Sequence, residues 1–474
     1  MSPYADFTYF GLLLYIVIPT IILGLLGRQK AWWAACATVV VCLVQFTDDL
    51  TLKPGLHIRE LWVVAGYAVW QAVIAVAFLR WKSRGAFYTA FTLALLPLAI
   101  AKYLPHIAPG SELGFAGISY VTFRALDVIF SIQDGVIKQL APHQYLAFLF
   151  FFPTISSGPI DRYRRFLQDW QRQRTRNEFL DDLDTAIERI FRGFLYKFLI
   201  AALIKTYWVD RVAHGGGLHV LSYMYGYTLY LFFDFAGYSA FAIGFSYLFG
   251  IRSPENFNLP FLSRNIRDFW NRWHISLSFW FRDHVYMRFL LTAAKKKWFK
   301  GKHTANYLGL FLTFGLMGIW HGTEAYYLVY GFYHSALLCG YDWFARWNKQ
   351  SKFWPDGPYW RVGNIILTIH AVAFGLLIFS GRLCPRHEKA ASAAAETAHT
   401  TPAPATPIPS TATPTATPAP LATPPPSAAS PAATPPLPAA PTASPATSPS
   451  SATPPAPPLP AATPQPAATP TPNQ

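Results

Sequence analysis

The chain has 474 residues, of which 52% are hydrophobic, 17% aromatic and only 13% charged. Soluble chains carry about 25% charged residues, so an ordinary soluble enzyme or a nucleic-acid-binding domain is excluded and a membrane protein is expected. The formal charge is +15, or +16 for residues 1–389, because Glu396 is the only formally charged residue after Lys389. These cations fall between apolar segments, where cytoplasmic loop bias accounts for most of them and where they would also attract an acidic partner.

The opening stretch MSPYADFTYFGLLLYIVIPTIILGLLGRQK has no basic n-region and no A-x-A cleavage site, and its positive charge follows the apolar run. It reads as an anchor rather than a signal peptide. Arg28 and Lys30 put the end of this span in the cytoplasm and the N-terminus outside. Further apolar segments lie near 32–46 (short), 60–80, 86–104, 188–207, 221–250, 306–320, 326–345 and 362–380, most of them near the roughly 20 residues that a bilayer core requires. The clusters RWKSR at 80–84 and KKKWFKGK at 295–302 mark further cytoplasmic loops.

Residues 115–158 do not fit this alternation. GISYVTFRALDVIF carries Arg124 and Asp127, and YLAFLFFFPTISSGPI ends in Pro, Ser and Gly, so one of the two is expected to enter the membrane without crossing it. Broken backbone survives at membrane depth only against protein or a water-filled cavity, which makes 115–165 a candidate cavity wall. DRYRRFLQDWQRQRTR at 161–176 reads as a basic cytoplasmic loop, and residues 177–188 lead into a helix. Beyond Ala390 the chain turns to Ala, Pro, Thr and Ser without one aromatic residue. Such a segment buries too little apolar surface to repay chain ordering, so residues 389–474 are expected to be a disordered tail and residues 1–388 the working domain.

No GxxxxGK[ST], HExxH, GxSxG or GxGxxG signature occurs, and the four cysteines, Cys36, Cys42, Cys339 and Cys384, form no CxxC pair. They read as packing residues, with no zinc or disulfide framework and no metal site. The polar content gathers in SPENFNLPFLSRNIRDFWNRWHISLSFWFRDHVYMR at 253–288, too polar to span and too aromatic for an ordinary loop. On a helix, Ile266, Phe269, Trp270, Trp273 and Leu277 fall near one face, which suggests an interfacial or re-entrant segment. Arg264, Arg267, Arg272 and Arg282 suit lipid phosphates. His274, flanked by Trp273 and Ile275, reads by itself as a satisfied structural histidine.

His321, in LMGIWHGTEAYY, stands in an apolar run beside Trp320, with Gly318 and Gly322 allowing close backbone approach. An ionisable residue at membrane depth is a functional-site hypothesis by default. Its ordinary pKa of about 6.5 suits proton transfer, so general base and structural histidine both stay open on the residues alone. His334, in YGFYHSALL, reads as structural.

Four stretches, FFPTISSGPIDRYRRF at 151–166, residues 254–289, KKKWF at 295–299 and GIWHG at 318–322, together resemble the membrane-bound O-acyltransferase family, and within it the DltB-type D-alanyl transfer proteins. The resemblance covers about residues 5–385. It implies an all-α polytopic membrane protein, a ring of roughly 10–12 transmembrane helices with re-entrant or interfacial helices around a central tunnel. It implies His321 as catalytic residue and His274 as the second family-defining position. The candidate substrate-binding residues in these motifs are Trp320, Asn271, Ser156, Ser157 and Asp161. The implied donor is D-alanine on the phosphopantetheine arm of an acidic carrier protein, docking on Arg162, Arg164, Arg165, Lys295, Lys296 and Lys297, with no bound cofactor. Membrane lipids and another membrane protein of envelope D-alanylation are the further expected partners, nucleic acid is not, and the expected location is the bacterial cytoplasmic membrane. The alanine- and proline-rich tail departs from the subgroup and leaves the acceptor open. Rival readings are an O-acetyltransferase for an exported polysaccharide, a transporter whose histidines relay protons, and a scaffold.

Overall fold

A computed structural model describes residues 3–5, 7–28, 31–47, 59–108, 114–213, 216–355 and 357–384; the boundary expected at 388 and the tail after it lie outside the described residues. The described chain is helical, with α1 (Phe7–Leu25), α2 (Ala31–Gln45), α3 (Arg59–Arg80), α4 (Arg84–Ile107), α5 (Ile118–Gln133), α6 (Pro142–Phe150), α7 (Tyr163–Gln171) and α8 (Arg176–Phe194) in the first half. There follow α9 (Leu218–Leu248), α10 (Ile266–Trp270), α11 (Ile275–Phe281), α12 (Met287–Lys295), α13 (Lys302–His321), α14 (Ala325–Ser351) and α15 (Pro358–Phe379).

Five helices, α1, α3, α4, α9 and α15, contain segments long and apolar enough to cross a membrane, so the protein is multi-pass. Two more, α13 of 20 residues and α14 of 27, have the length but not the composition. Their polar side chains are used inside the protein: Ser335 donates to the carbonyls of Leu310 and Gly331, and Tyr333 to that of Ala371. A helix surrounded by protein need not be apolar all round.

Neighbouring helices form a closed circuit. α4 packs on α3 and α5, α5 on α6, α2 on α1, α1 on α8 and α9, α9 on α15, α15 on α14, and α14 on α13, while α6 also contacts α2 and a side chain of α4 reaches back to α13. Residues 254–289 lie within this circuit. Trp280 donates to the Phe123 carbonyl of α5, Phe235 of α9 meets His274, and Trp270 meets Phe314 of α13 and His334 of α14.

The region around 115–165 is built on one buried cation. Arg124, 1% exposed on α5, donates to the carbonyls of Phe148, Leu149 and Thr154 and to the Thr154 hydroxyl. Two of these carbonyls belong to the last turn of the nine-residue α6 and the third follows it; the helix is too short to cross a bilayer, and its last carbonyls have no helical partners of their own. Arg124 supplies the missing donors, so the broken backbone is satisfied by protein, as its depth demands.

Two expectations are corrected. The stretch 161–176 is not simply a loop, since 163–171 form α7, and the next helix starts at a capping box in which Thr175 and Glu178 satisfy each other's backbone amides. That box, T-x-x-E, was readable in the sequence. Nor do Ile266 and Leu277 share one helix. His274 takes a left-handed conformation at φ 43°, which ends the helical path between α10 and α11 because few side chains tolerate that region.

Candidate active site

His321 closes α13, a helix brought close to α14 by its glycines. A Cβ at Gly318 would stand 2.4 Å from the Tyr327 carbonyl oxygen, and one at Gly331 would stand 2.2 Å from that of Phe314. The close approach read at Gly318 is thus to the next helix, and Gly322 likewise abuts the Tyr327 ring. The consequence is that the end of α13 is held firmly against α14. The half-buried imidazole of His321 sits among Trp320, Phe379, Tyr327 and Tyr330 at ring-centroid distances of 4.5, 4.9, 6.1 and 6.2 Å. No hydrogen-bond partner holds either ring nitrogen among the described residues, so the imidazole is framed by aromatic rings with both nitrogens unengaged.

His274 is held differently. It is 4% exposed, and its Nδ1 lies 3.1 Å from Oδ1 of the fully buried Asn256. Asn256 donates through Nδ2 to Ser239 at 3.1 Å, and its Oδ1 also accepts from the Ser276 hydroxyl at 2.9 Å. Because Oδ1 can only accept, the neutral ring must carry its proton on Nδ1 and keep Nε2 as an acceptor. Trp270, in the same segment as His274, meets the His334 ring, and both His334 and His321 meet the Tyr330 ring. The structure thus brings the two histidines into one region.

A cavity of about 490 Å³ runs along α13. On α13 its lining runs from Asn306 through Leu310, Thr313 and Phe314 to Met317, one helical face that ends a turn before His321. Trp270 and Asn271 form part of the opposite wall, with Arg267 and Arg282 beside them. A second cavity of about 450 Å³ reaches Asn256 between α8 and α9, with Arg189 and Arg192 on its wall.

Of the other candidates, Trp320 stands beside His321 and packs on Tyr120 and Phe123 of α5. Ser156 shares a hydrogen bond with Tyr238, and Ser157 adjoins it, half-buried. Asp161, 3% exposed, pairs with Arg165, so this carboxylate already has a partner. The six basic residues divide sharply. Arg162 bridges Asp127 at 2.5 Å and Asp283 at 2.9 Å, and Arg165 also pairs with Asp169 at 2.9 Å. Both are half-buried internal ties rather than a free basic surface. Arg164, Lys295, Lys296 and Lys297 are exposed.

Two residues escaped the sequence reading. Asn256 gave no signal beyond its place in PENFNLP. Lys102, on α4, did, since a lysine inside an apolar span is costly and marks function; its ammonium donates to the Trp320 carbonyl.

Residues 132–380 match the family model described as MBOAT, membrane-bound O-acyltransferase family. The chain is 44% identical over 402 residues, 82% of its length and 100% of the relative's, to the protein named teichoic acid D-alanyltransferase of Bacillus subtilis (strain 168). It is 38% identical over 404 residues to the protein of that name from Lacticaseibacillus rhamnosus, covering 81% of this chain and 98% of the relative. A probable alginate O-acetylase of Pseudomonas syringae pv. tomato is 35% identical over 228 residues, 47% of this chain and 42% of that protein.

Proposed function

The chain belongs to the membrane-bound O-acyltransferase family and is an acyltransferase, and from that premise we propose that it D-alanylates a teichoic-acid-like envelope polymer from the bacterial cytoplasmic membrane. The donor is D-alanine held as a thioester on the phosphopantetheine arm of a small acidic carrier protein. The observation that supports this reading is the cavity along α13, whose lining on that helix ends at Met317, one turn before His321. A long thin arm entering from the basic end of α13, where Lys295, Lys296 and Lys297 stand exposed, would bring its thioester toward the imidazole.

In this reaction His321 takes the proton from an acceptor hydroxyl as the oxygen attacks the thioester carbonyl. The tetrahedral intermediate collapses by breaking the carbon–sulfur bond, and the departing thiolate recovers the proton from the imidazolium. The ester stays on the acceptor and the carrier leaves with a free thiol. His274, its Nε2 available, orients a reacting hydroxyl or ammonium, and the aromatic frame around His321 limits hydrolysis by water. Relatives named for D-alanyl transfer match over their whole length, whereas the alginate O-acetylase matches over less than half of its own, which favours D-alanine over acetyl transfer.

The test is reconstitution in liposomes with D-alanyl carrier protein and a polyol-phosphate acceptor. Thioester consumption matched by new D-alanyl ester is expected; transport without thioester loss, or turnover only with an acetyl donor, would overturn the reading. Docking is tested by Lys295→Glu, Lys296→Glu and Lys297→Glu together. Exposed charges are screened beyond a Debye length of ~8 Å at physiological salt, so the KM for carrier should rise both in this variant and at high salt, with kcat little changed. A KM indifferent to both assigns docking to an apolar contact.

A further inference from the structure

The end of α13 presents a structural problem. The last carbonyls of a helix have no partners within it, and here the chain leaves abruptly, because Gly322 is fully extended at φ −177° and ψ 179° and returns no capping amide. His321 is the last residue of that helix, so whatever satisfies the neighbouring carbonyls also sets the direction of its ring.

The donor comes from α4. Lys102, half-buried, donates its ammonium to the Trp320 carbonyl and lies 5.8 Å from the centroid of the Trp320 ring. The Trp320 carbonyl, rather than any carboxylate, is its partner among the described residues. A cation at a helix C-terminus is favoured by the helix dipole, while a lysine serving only as an interfacial anchor would turn its ammonium outward to water. One turn further along the same face of α4, His106 Nε2 lies 2.8 Å from the Thr323 hydroxyl. The two contacts grip the chain on either side of His321, at residues 320 and 323, while Tyr120 and Phe123 of α5 close on the Trp320 ring. Both α4 and α13 begin at basic clusters, RWKSR and KKKWFKGK, so their far ends meet here, away from that charged side.

We propose that Lys102 is a positioning residue for acyl transfer, capping the Trp320 carbonyl so that the last turn of α13 holds the direction of the His321 ring. The proposal rests on the function proposed above. It does not require Lys102 to touch either substrate; it acts through the backbone of residue 320.

The test compares Lys102→Met and Lys102→Arg with the unmodified protein in liposomes, measuring carrier discharge and hydrogen exchange of peptides covering residues 318–325. Methionine keeps the length and apolar stem but removes the cap. It is expected to lower kcat by about 10²-fold, the cost of misplacing a reacting group by ~1 Å, with KM for carrier changed less than about twofold because the docking surface is untouched. Exchange should quicken in 318–325 and not elsewhere. Arginine, which can still donate to the carbonyl, should restore most of kcat and the slow exchange. A methionine variant with unchanged kcat and unchanged local exchange overturns the proposal. So does one whose exchange rises across the whole protein while kcat falls only with the folded fraction, since Lys102 would then be a general support. Failure of the unmodified protein to discharge the carrier would refute the proposed function, and exchange in 318–325 would still decide whether Lys102 holds this turn.

Discussion

The surroundings of His274 and His321 are opposites. His274 is enclosed, its backbone in the left-handed region and its Nδ1 tied to an asparagine that is itself tied to two serines. His321 stands at the end of a helix, ringed by aromatic faces and bonded to none of them. The first arrangement fixes a tautomer and spends one ring nitrogen on doing so; the second leaves both nitrogens free and fixes only direction. The contrast suits the two proposed roles, proton transfer at a ring with both nitrogens open and orientation by a ring already held in one tautomer.

The largest effect should come from the free ring. His321→Ala removes the base and is expected to lower carrier discharge by ~10²–10⁴-fold, the usual contribution of general-base catalysis, with the melting temperature in detergent unchanged. Near-normal discharge, or loss of folded protein in step with activity, would erase the contrast between the two histidines.

A smaller effect is expected from untying the other one. Asn256→Ala leaves His274, Ser239 and Ser276 without their shared partner in a buried site, a cost of about 1–3 kcal/mol, so thermal unfolding should shift down and residual activity should fall less than in His321→Ala. An unshifted melting curve would mean that the network contributes nothing to holding His274.

His334 completes the comparison and should give the smallest change. It is fully buried between Trp270, Tyr330 and Gly375, yet neither ring nitrogen has a partner. Replacing an unsatisfied polar group by an apolar one of similar volume is close to neutral or stabilising, so His334→Leu should leave stability within ~1 kcal/mol of the parent and discharge nearly intact. A large loss of discharge with stability preserved would move His334 from packing to chemistry.

Much of this site was legible in the chain. The apolar runs, the basic clusters between them and GIWHG are local patterns, and local patterns survive in one dimension. The same holds for the odd character of 115–165, where Arg124 and Asp127 in an apolar stretch marked a segment that does not simply cross; the cavity wall expected there does not line either cavity described above. What misled was charge. Six cations looked alike in DRYRRF and KKKWF, but Arg162 and Arg165 find carboxylates on α5, on α7 and beside α11, while the three lysines find none among the described residues. Sequence shows that a charge exists and leaves its counter-ion to the fold.

By itself, then, the sequence determined that the chain lives in a membrane and which two histidines belong to the motifs, because hydropathy and short motifs depend on neighbours along the chain. It also marked the five segments apolar enough to cross, while counting 188–207, 306–320 and 326–345, which are not. Tertiary structure alone decided the break at His274, its bond to Asn256 and the reach of Lys102 to a carbonyl 218 residues away. Those contacts arise from satisfying buried polar groups in three dimensions, and the partner that satisfies such a group can come from any part of the chain that packing brings near.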